Sequence, residues 1–374
     1  MRTSPAPASA PVVPRSAALR YLLHPHHVQA SWALTQPPSM RIALVSGLQT
    51  ALAVLLAMVV ALYSPWPELV GFAALGALSA LFGRFAPVHA RLRIVATTAL
   101  LMTGAVLIPS LAVWGGVSPD RMMLVLAVLA GLASLAVSYC RLGAPGATII
   151  VFGIGAAMGP IGSVDDVWAH TLATAAGGVV ACVACAVTDW LRKEVLAQLQ
   201  FPASETVSRQ AALHAAGRVA VAAGVSAAVA YAAGWSHPAW AAIGATAVMQ
   251  GTHLHTTLHR ALQRMAGTMV GAAVVWWLLA QEPPLWVIAA CIVGFQFLTE
   301  VLMGFNYALG QATVTPLALL MTYLASPSHA SNMPVERVLE TILGATLGIV
   351  FAVIFSTMED RRHLAALAAQ RQRA

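Results

Sequence analysis

The stretch Arg260-Ala-Leu-Gln-Arg264-Met-Ala-Gly267-Thr268-Met-Val-Gly271 places two arginines at the foot of a long apolar helix that opens with small residues. A weaker copy, Arg91-Leu-Arg93-Ile-Val-Ala96-Thr97, lies in the first half of the chain. A basic helix entrance therefore occurs once in each half. Such arginines either mark one side of a membrane, by the positive-inside bias, or form cationic entrances to a path for anions.

The composition sets the class. The chain has 374 residues, of which 59% are hydrophobic and 9% charged, and its mean hydropathy is +0.78. Soluble domains carry about 25% charged residues, so this chain cannot dress a water-exposed surface. Apolar runs of roughly 20 residues, the length that spans a bilayer, recur along it. The expected fold class is all-α: a polytopic membrane protein of about twelve transmembrane helices in two parallel six-helix repeats. The expected spans are 42–63, 68–84, 94–114, 121–140, 144–160 and 168–190, then 215–234, 238–252, 263–281, 284–303, 304–325 and 335–357. The second and eighth are short.

The expected organisation follows: 1–40 a disordered cytoplasmic leader, 41–190 the first repeat, 191–213 a linker, 214–357 the second repeat, 358–374 a tail. The leader has no apolar core of signal-peptide type. The loops carry a strong asymmetry. Arg84, Arg91, Arg93, Arg141, Arg192, Lys193, Arg209, Arg218, Arg260, Arg264, Arg361 and Arg362 fall on one side of this layout. Arg121 and Arg337 fall on the other, with Glu68, Asp120, Asp165, Asp166, Glu282 and Glu336. Both termini and the linker are thus expected in the cytoplasm. Trp66, Trp114, Trp168, Trp235, Trp240 and Trp286 cluster toward the outer face, as an aromatic belt does.

The halves match in order. Arg41-x5-Gly47 parallels Arg218-x5-Gly224, Arg93…Thr97 parallels Arg264…Thr268, Thr148 parallels Thr315, and His170…Thr174…Gly177 parallels Arg337…Thr341…Gly344. Each half has an even number of spans, so the repeats would be related by an axis along the membrane normal. Small residues such as Gly76, Gly177 and Gly344 let membrane helices approach closely. Gly143, Pro145 and Gly146, and Pro316 further on, can break or kink helices and free backbone groups toward a cavity.

Several polar residues lie at membrane depth. Arg93 and Arg264 form the candidate inner vestibule, where guanidinium forks bind carboxylates. Thr97 and Thr268 lie one turn deeper; they offer the next contact or bond back to their own helix carbonyls. Gln250, Asn306, Tyr307, Gln311 and Thr315 complete the candidate pathway, although 311 and 313 diverge on a regular helix. Arg337 and Glu340 pair locally, or Arg337 guards an outer mouth while Glu340 titrates. His170, matched to Arg337, is a second candidate proton carrier.

The net charge of +7 and the pI near 9.7 come almost wholly from arginine beside the spans, so nucleic acid is not expected as a partner. The Cys182-x-x-Cys185 pair lies on a membrane helix without redox context. His255 and His259 have metal-ligand spacing but no acidic or cysteine neighbour. There is no phosphate loop, dinucleotide glycine motif or nucleophile elbow. No cofactor, resident metal or catalytic residue is expected.

Together, His237-Pro-x-Trp240, Arg260…Arg264-x-x-Gly267-Thr268-x-x-Gly271, Asn306-Tyr307 and Glu336-Arg337-x-x-Glu340-Thr341-x-x-Gly344 resemble the second-half motif of the fusaric acid resistance family of aromatic acid exporters. The motifs cover most of residues 215–357, and the first half fits the six-span pattern more loosely. The resemblance implies export of aromatic carboxylates and related weak acids across a bacterial inner membrane. Plant aluminium-activated malate channels are similar at greater distance and pair two six-helix units around an anion pore. The larger exporters carry a sizeable soluble domain, whereas the linker here is only 191–213, so an adaptor partner is not implied. The expected partners are a small organic anion and the bilayer, with a homo-oligomer left open. A passive anion channel, a non-transporting membrane protein and a metal-binding membrane enzyme are the alternatives.

Overall fold

The computed structural model describes residues 14, 15, 29, 31–193, 208–251, 254–325, 332–358, 360–362, 364 and 365. Most of the expected leader, linker and tail lies outside these. Among the described residues the regular structure is helical, without a strand.

Six α-helices fill the first half: α1 (Met40–Leu62), α2 (Val70–Ala77), α3 (Val88–Trp114), α4 (Pro119–Tyr139), α5 (Ala147–Ala156) and α6 (Val164–Thr188). Six fill the second: α7 (Arg209–Ala232), α8 (Ala239–Met249), α9 (Leu254–Leu279), α10 (Leu285–Leu302), α11 (Tyr307–Ala325) and α12 (Met333–Ile354). Apolar helices suit lipid because every internal N–H and C=O is paired within the segment. Local chemistry sets their starts. Ser39 and Ser208 accept from Ile42 N and Ala211 N at 3.3 and 3.2 Å. Ser163 and Asp166 form a reciprocal capping box at the start of α6.

Among the described residues eight helices are long and apolar enough to cross a membrane: α1, α3, α4, α6, α7, α9, α10 and α12. The expectation of about twelve spans, the second and eighth short, therefore meets a more uneven architecture still. The 68–84 region is α2 framed by 3-10 turns, and α5 and α8 have only 10 and 11 residues. Eleven residues reach roughly 16 Å, about half of a bilayer core. All of α8 is buried, as is most of α2. The short helices thus sit inside a bundle whose long helices meet lipid with residues such as Leu100, Leu124 and Trp277.

Glycines set how closely the inner helices pack. A Cβ at Gly177 (α6) would collide with the Ala73 carbonyl of α2, and one at Gly344 (α12) with the Ala241 carbonyl of α8. Contacts between the halves recur in the same way. Helix α1 packs on α10 through Gly47 against Phe297, and α7 packs on α4 through Gly224 against Ala127. Helix α5 packs on α8, and α2 on α11.

Two expectations need correction. Trp66, Trp114, Trp168 and Trp286 are exposed as a belt requires, but Trp240 is 4% exposed, because it belongs to the buried α8. The end of the expected disordered leader is docked. Asn306 Nδ2 donates to the Ser31 and Ala33 carbonyls at 3.3 and 3.1 Å, and the Thr35 hydroxyl donates to the Phe305 carbonyl at 2.8 Å.

Candidate functional site: a cationic cavity between the halves

Arg84, Arg141 and Arg260 gather around one cavity and mark a basic end of the bundle, while Pro119, next to Asp120, lines a second cavity at the opposite end. A cavity of about 710 Å³ occupies the basic end between the halves. Broken helices bring irregular backbone to its wall. The segment Gly143–Pro145 before α5 and Gln250 after α8 both line it. Non-helical backbone at this depth is tolerated where it faces a cavity.

Five arginines line the cavity (Arg84, Arg141, Arg260, Arg264 and Arg337) against one carboxylate, Glu300. Arg84 pairs with Glu300 at 3.5 Å and donates to its backbone carbonyl at 2.9 Å. The other four leave the cavity strongly positive. Low-dielectric walls focus such a field and concentrate anions.

Small residues on α9 build the centre of the site. A Cβ at Gly267 would collide with the Ala308 carbonyl, and one at Gly271 would sit 2.7 Å from Pro316 Cδ. These positions let α11 lie directly on α9, which brings Tyr307 and Gln311 beside Arg264. Arg264, only 1% exposed, donates from Nη1 to Tyr307 Oη at 3.3 Å and to Gln311 Oε1 at 3.2 Å. Its Nε and Nη2 meet no hydrogen-bond partner among the described residues. One turn earlier, Arg260 stands 5.9 Å from the Tyr307 ring centroid.

Arg337 is 2% exposed and lies over the Trp240 ring at 4.9 Å, a cation–π geometry. Its Nε and Nη1 also lack hydrogen-bond partners among the described residues. The other neighbour of Trp240 is His237, stacked at 4.2 Å, whose Nδ1 lies 3.1 Å from Glu336 Oε2. Arg337 thus lines the same cavity as Arg264 instead of standing at a separate outer mouth. It makes no hydrogen bond to Glu340, which is fully buried behind it. At i,i+3 the two side chains share a helix face, yet the guanidinium turns to the aromatic ring.

The remaining candidates divide. Tyr307, Gln311 and Gln250 line the cavity; Thr268, Thr315, Asn306, Arg93, Thr97 and His170 do not. Thr315 and Thr268 face each other at 3.4 Å between α11 and α9. Thr313 turns to Thr299 of α10 at 2.9 Å, as the divergence of 311 and 313 requires. Asn306 caps α11, accepting from Ala308 N at 2.8 Å. Gln250 caps α5 across the halves. With its amide oriented to satisfy both ends, its oxygen accepts from Ala147 N and Thr148 N at 3.1 Å and its nitrogen donates to the Pro145 carbonyl. Arg93 is exposed, and the Thr97 hydroxyl donates back to the Arg93 carbonyl at 2.8 Å. His170 is half-buried and stacks on Phe72 at 4.0 Å. His255 and His259 lie edge to face at 6.1 Å, and no group of three metal-ligating side chains occurs among the described residues.

The buried arginine of the first entrance is Arg91, and both of its terminal nitrogens are engaged, while its Nε meets no hydrogen-bond partner among the described residues. It donates from Nη1 to Asp189 Oδ1 at 2.7 Å and to Gln49, and from Nη2 to the Ala80 carbonyl. Arg192 joins the same carboxylate at 3.0 Å. This cluster ties α1, α3 and the end of α6 together outside the cavity.

The pattern of α7 to α12 has relatives. Residues 224–351 match the family described as fusaric acid resistance protein-like. Over 118 residues the chain is 35% identical to the uncharacterized membrane protein YvaC of Bacillus subtilis (strain 168), a match covering 31% of this chain and 19% of that protein. The chain thus spans about a fifth of that relative's length. No solved structure matches. The matched stretch contains Arg260, Arg264, Tyr307, Gln311 and Arg337, so the part of this multi-pass membrane protein that supplies those residues to the cavity is similar to the fusaric acid resistance protein-like family.

Proposed function

We propose that the chain transports organic anions, aromatic carboxylates or related weak acids, outward across a bacterial inner membrane along a path between its halves. The observation that carries this reading is the pair Arg264 and Arg337. Both are almost fully buried, both line one cavity, and both keep guanidinium N–H groups without hydrogen-bond partners among the described residues. Burying a charge costs several kcal/mol after relaxation, and unpaired donors at membrane depth add to it. A carboxylate bridging the two forks would offset that cost with charge-assisted hydrogen bonds. Apolar cavity walls, including Phe152, Ile149 and Leu317, suit the ring of an aromatic acid.

The two-repeat, twelve-segment reading is supported by equivalent contacts. Gly177 against Ala73 parallels Gly344 against Ala241, and His170 on Phe72 parallels Arg337 on Trp240. The arginine-rich end is taken as cytoplasmic, by the positive-inside rule. Outward movement of an anion is then favoured by the membrane potential, worth about 2.3 kcal/mol per charge per 100 mV. A coupled proton is not required.

The test is flux of a labelled benzoate-class acid into proteoliposomes under an imposed potential, comparing wild type with Arg264→Gln and Arg337→Gln. Removing one partner of a desolvated charge pair costs about 2–5 kcal/mol, so each variant is expected to lose at least about tenfold in flux. Arg264→Lys keeps charge but not the fork, and is expected to recover only part of the flux. Equal flux in folded wild type and both glutamine variants would sink the reading.

A further inference from the structure

A second cavity, of about 600 Å³, opens at the opposite end of the bundle, lined by residues such as Val117, Trp235 and His237. It contains no arginine, lysine or carboxylate side chain. Three residues line both this cavity and the cationic one: Phe152, Ile243 and Met321. All are apolar, and they come from three helices drawn from both halves, α5, α8 and α11.

Each helix shows why these three stand between the chambers. On α5, Thr148 lines the cationic cavity and Gly155 the other, with Phe152 one turn from each. On α8, Ala247 and Ala239 flank Ile243 in the same way. On α11, Ala318 lines the first chamber, Thr322 the second, and Met321 both. On each helix the residue that lines both chambers is apolar. Ile243 and Met321 are 3% and 4% exposed, so neither turns away into lipid.

We propose that Phe152, Ile243 and Met321 form the dry neck of the path and set the width of solute that passes. An apolar constriction excludes water and bars ions without being sealed by a bond. The methionine can shift rotamer as a solute enters. The width-selecting role rests on the anion-transport reading, but the barrier can be tested without any substrate.

Cysteines are placed on each side of the neck, Ala247→Cys and Ala156→Cys, after Cys140, Cys182, Cys185 and Cys291 are replaced. A charged, membrane-impermeant thiol reagent is then added from one side at a time. The expected result is labelling of position 247 from the basic end only and of position 156 from the opposite end only. Adding Phe152→Ala with Met321→Ala should let either position be labelled from both sides, while Phe152→Leu should preserve the sided pattern. Two-sided labelling with the native neck, or sided labelling that survives the double truncation in folded protein, would overturn the proposal. In flux, Phe152→Ala should raise the naphthoate-to-benzoate ratio by at least about tenfold, as pocket-width changes do; an unchanged ratio would refute width selection. Sided labelling that responds to the neck, with no carboxylate flux in any variant, would uphold the barrier and reject the transport reading.

Discussion

Substituting Gly344→Ala tests the packing that forms the interior of the bundle. The added Cβ would strike the Ala241 carbonyl, with the Ala245 amide nitrogen 3.0 Å away. Both obstacles are backbone atoms of α8, which is buried along its whole length. No side chain can swing aside, so α12 must move off α8. Overpacking costs typically about 1–3 kcal/mol, and a backbone obstacle belongs at the upper end. The substitution also gains helix propensity, about 0.5–1 kcal/mol for Ala over Gly. The expected net loss is about 1–2 kcal/mol, read as a fall in the thermal midpoint of the detergent-solubilised protein. Gly104→Ala is the control. It lies on α3 with nothing within 4 Å of the added atom, so it is expected to be neutral or stabilising. Gly177→Ala meets the equivalent Ala73 carbonyl and is expected to match Gly344→Ala. If Gly344→Ala melts with Gly104→Ala at or above wild type, the close helix contact is refuted.

Other predictions follow from the polar contacts. Gln250→Leu removes the cap of α5 and should destabilise by about 0.5–2 kcal/mol, seen in the same thermal assay. Asp189→Leu leaves Arg91 and Arg192 buried without their shared carboxylate, and should cost about 3–5 kcal/mol; Arg93→Leu, at an exposed neighbour on the same helix, should cost far less. Asn306→Ala removes the donor to the Ala33 carbonyl and leaves the Ser31 carbonyl held by Gln263 Nε2, and should speed amide hydrogen exchange in residues 32–36 without changing it in α9.

Much of this architecture is legible in the sequence because lipid imposes one rule on long apolar helices. The run Arg264-x-x-Gly267-x-x-x-Gly271 predicts both a charged entrance and a close helix neighbour, and α11 is that neighbour. The polar stripe at Tyr307 and Gln311 is legible as well, because one turn separates them. What sequence hides is direction. Arg91 and Arg93 lie about 200° apart around a helix, and no local feature says which turns inward. The answer depends on Asp189, 98 residues away. Gln250 and Asn306 read as pathway residues because they are polar at depth, yet each satisfies backbone groups of a distant segment. Trp240 reads as an interfacial anchor until α8 proves too short and too buried to place it there.

The contrast between the halves bears on why arginines are there at all. A topology marker works from an exposed site near a helix end, and Arg93, exposed near the start of α3, has that position. Arg91 is buried, but its charge is balanced by Asp189 and shared with Arg192, so its burial has a structural cause. Arg264 has neither excuse. It is buried beside neutral partners, Tyr307 and Gln311, and faces a cavity lined by Arg141, Arg260 and Arg337, none in a salt bridge among the described residues, although Arg337 shares its helix face with the buried Glu340. At the position matched to Arg337 the first half carries His170 on Phe72, outside the cavity. The cation set is therefore one-sided: the second half supplies most of the charge, while the first supplies α5 and part of the neck. Clustering like charges at low dielectric is unfavourable unless something of opposite sign enters. The proposed anionic solute between Arg264 and Arg337 would offset that cost with charge-assisted hydrogen bonds.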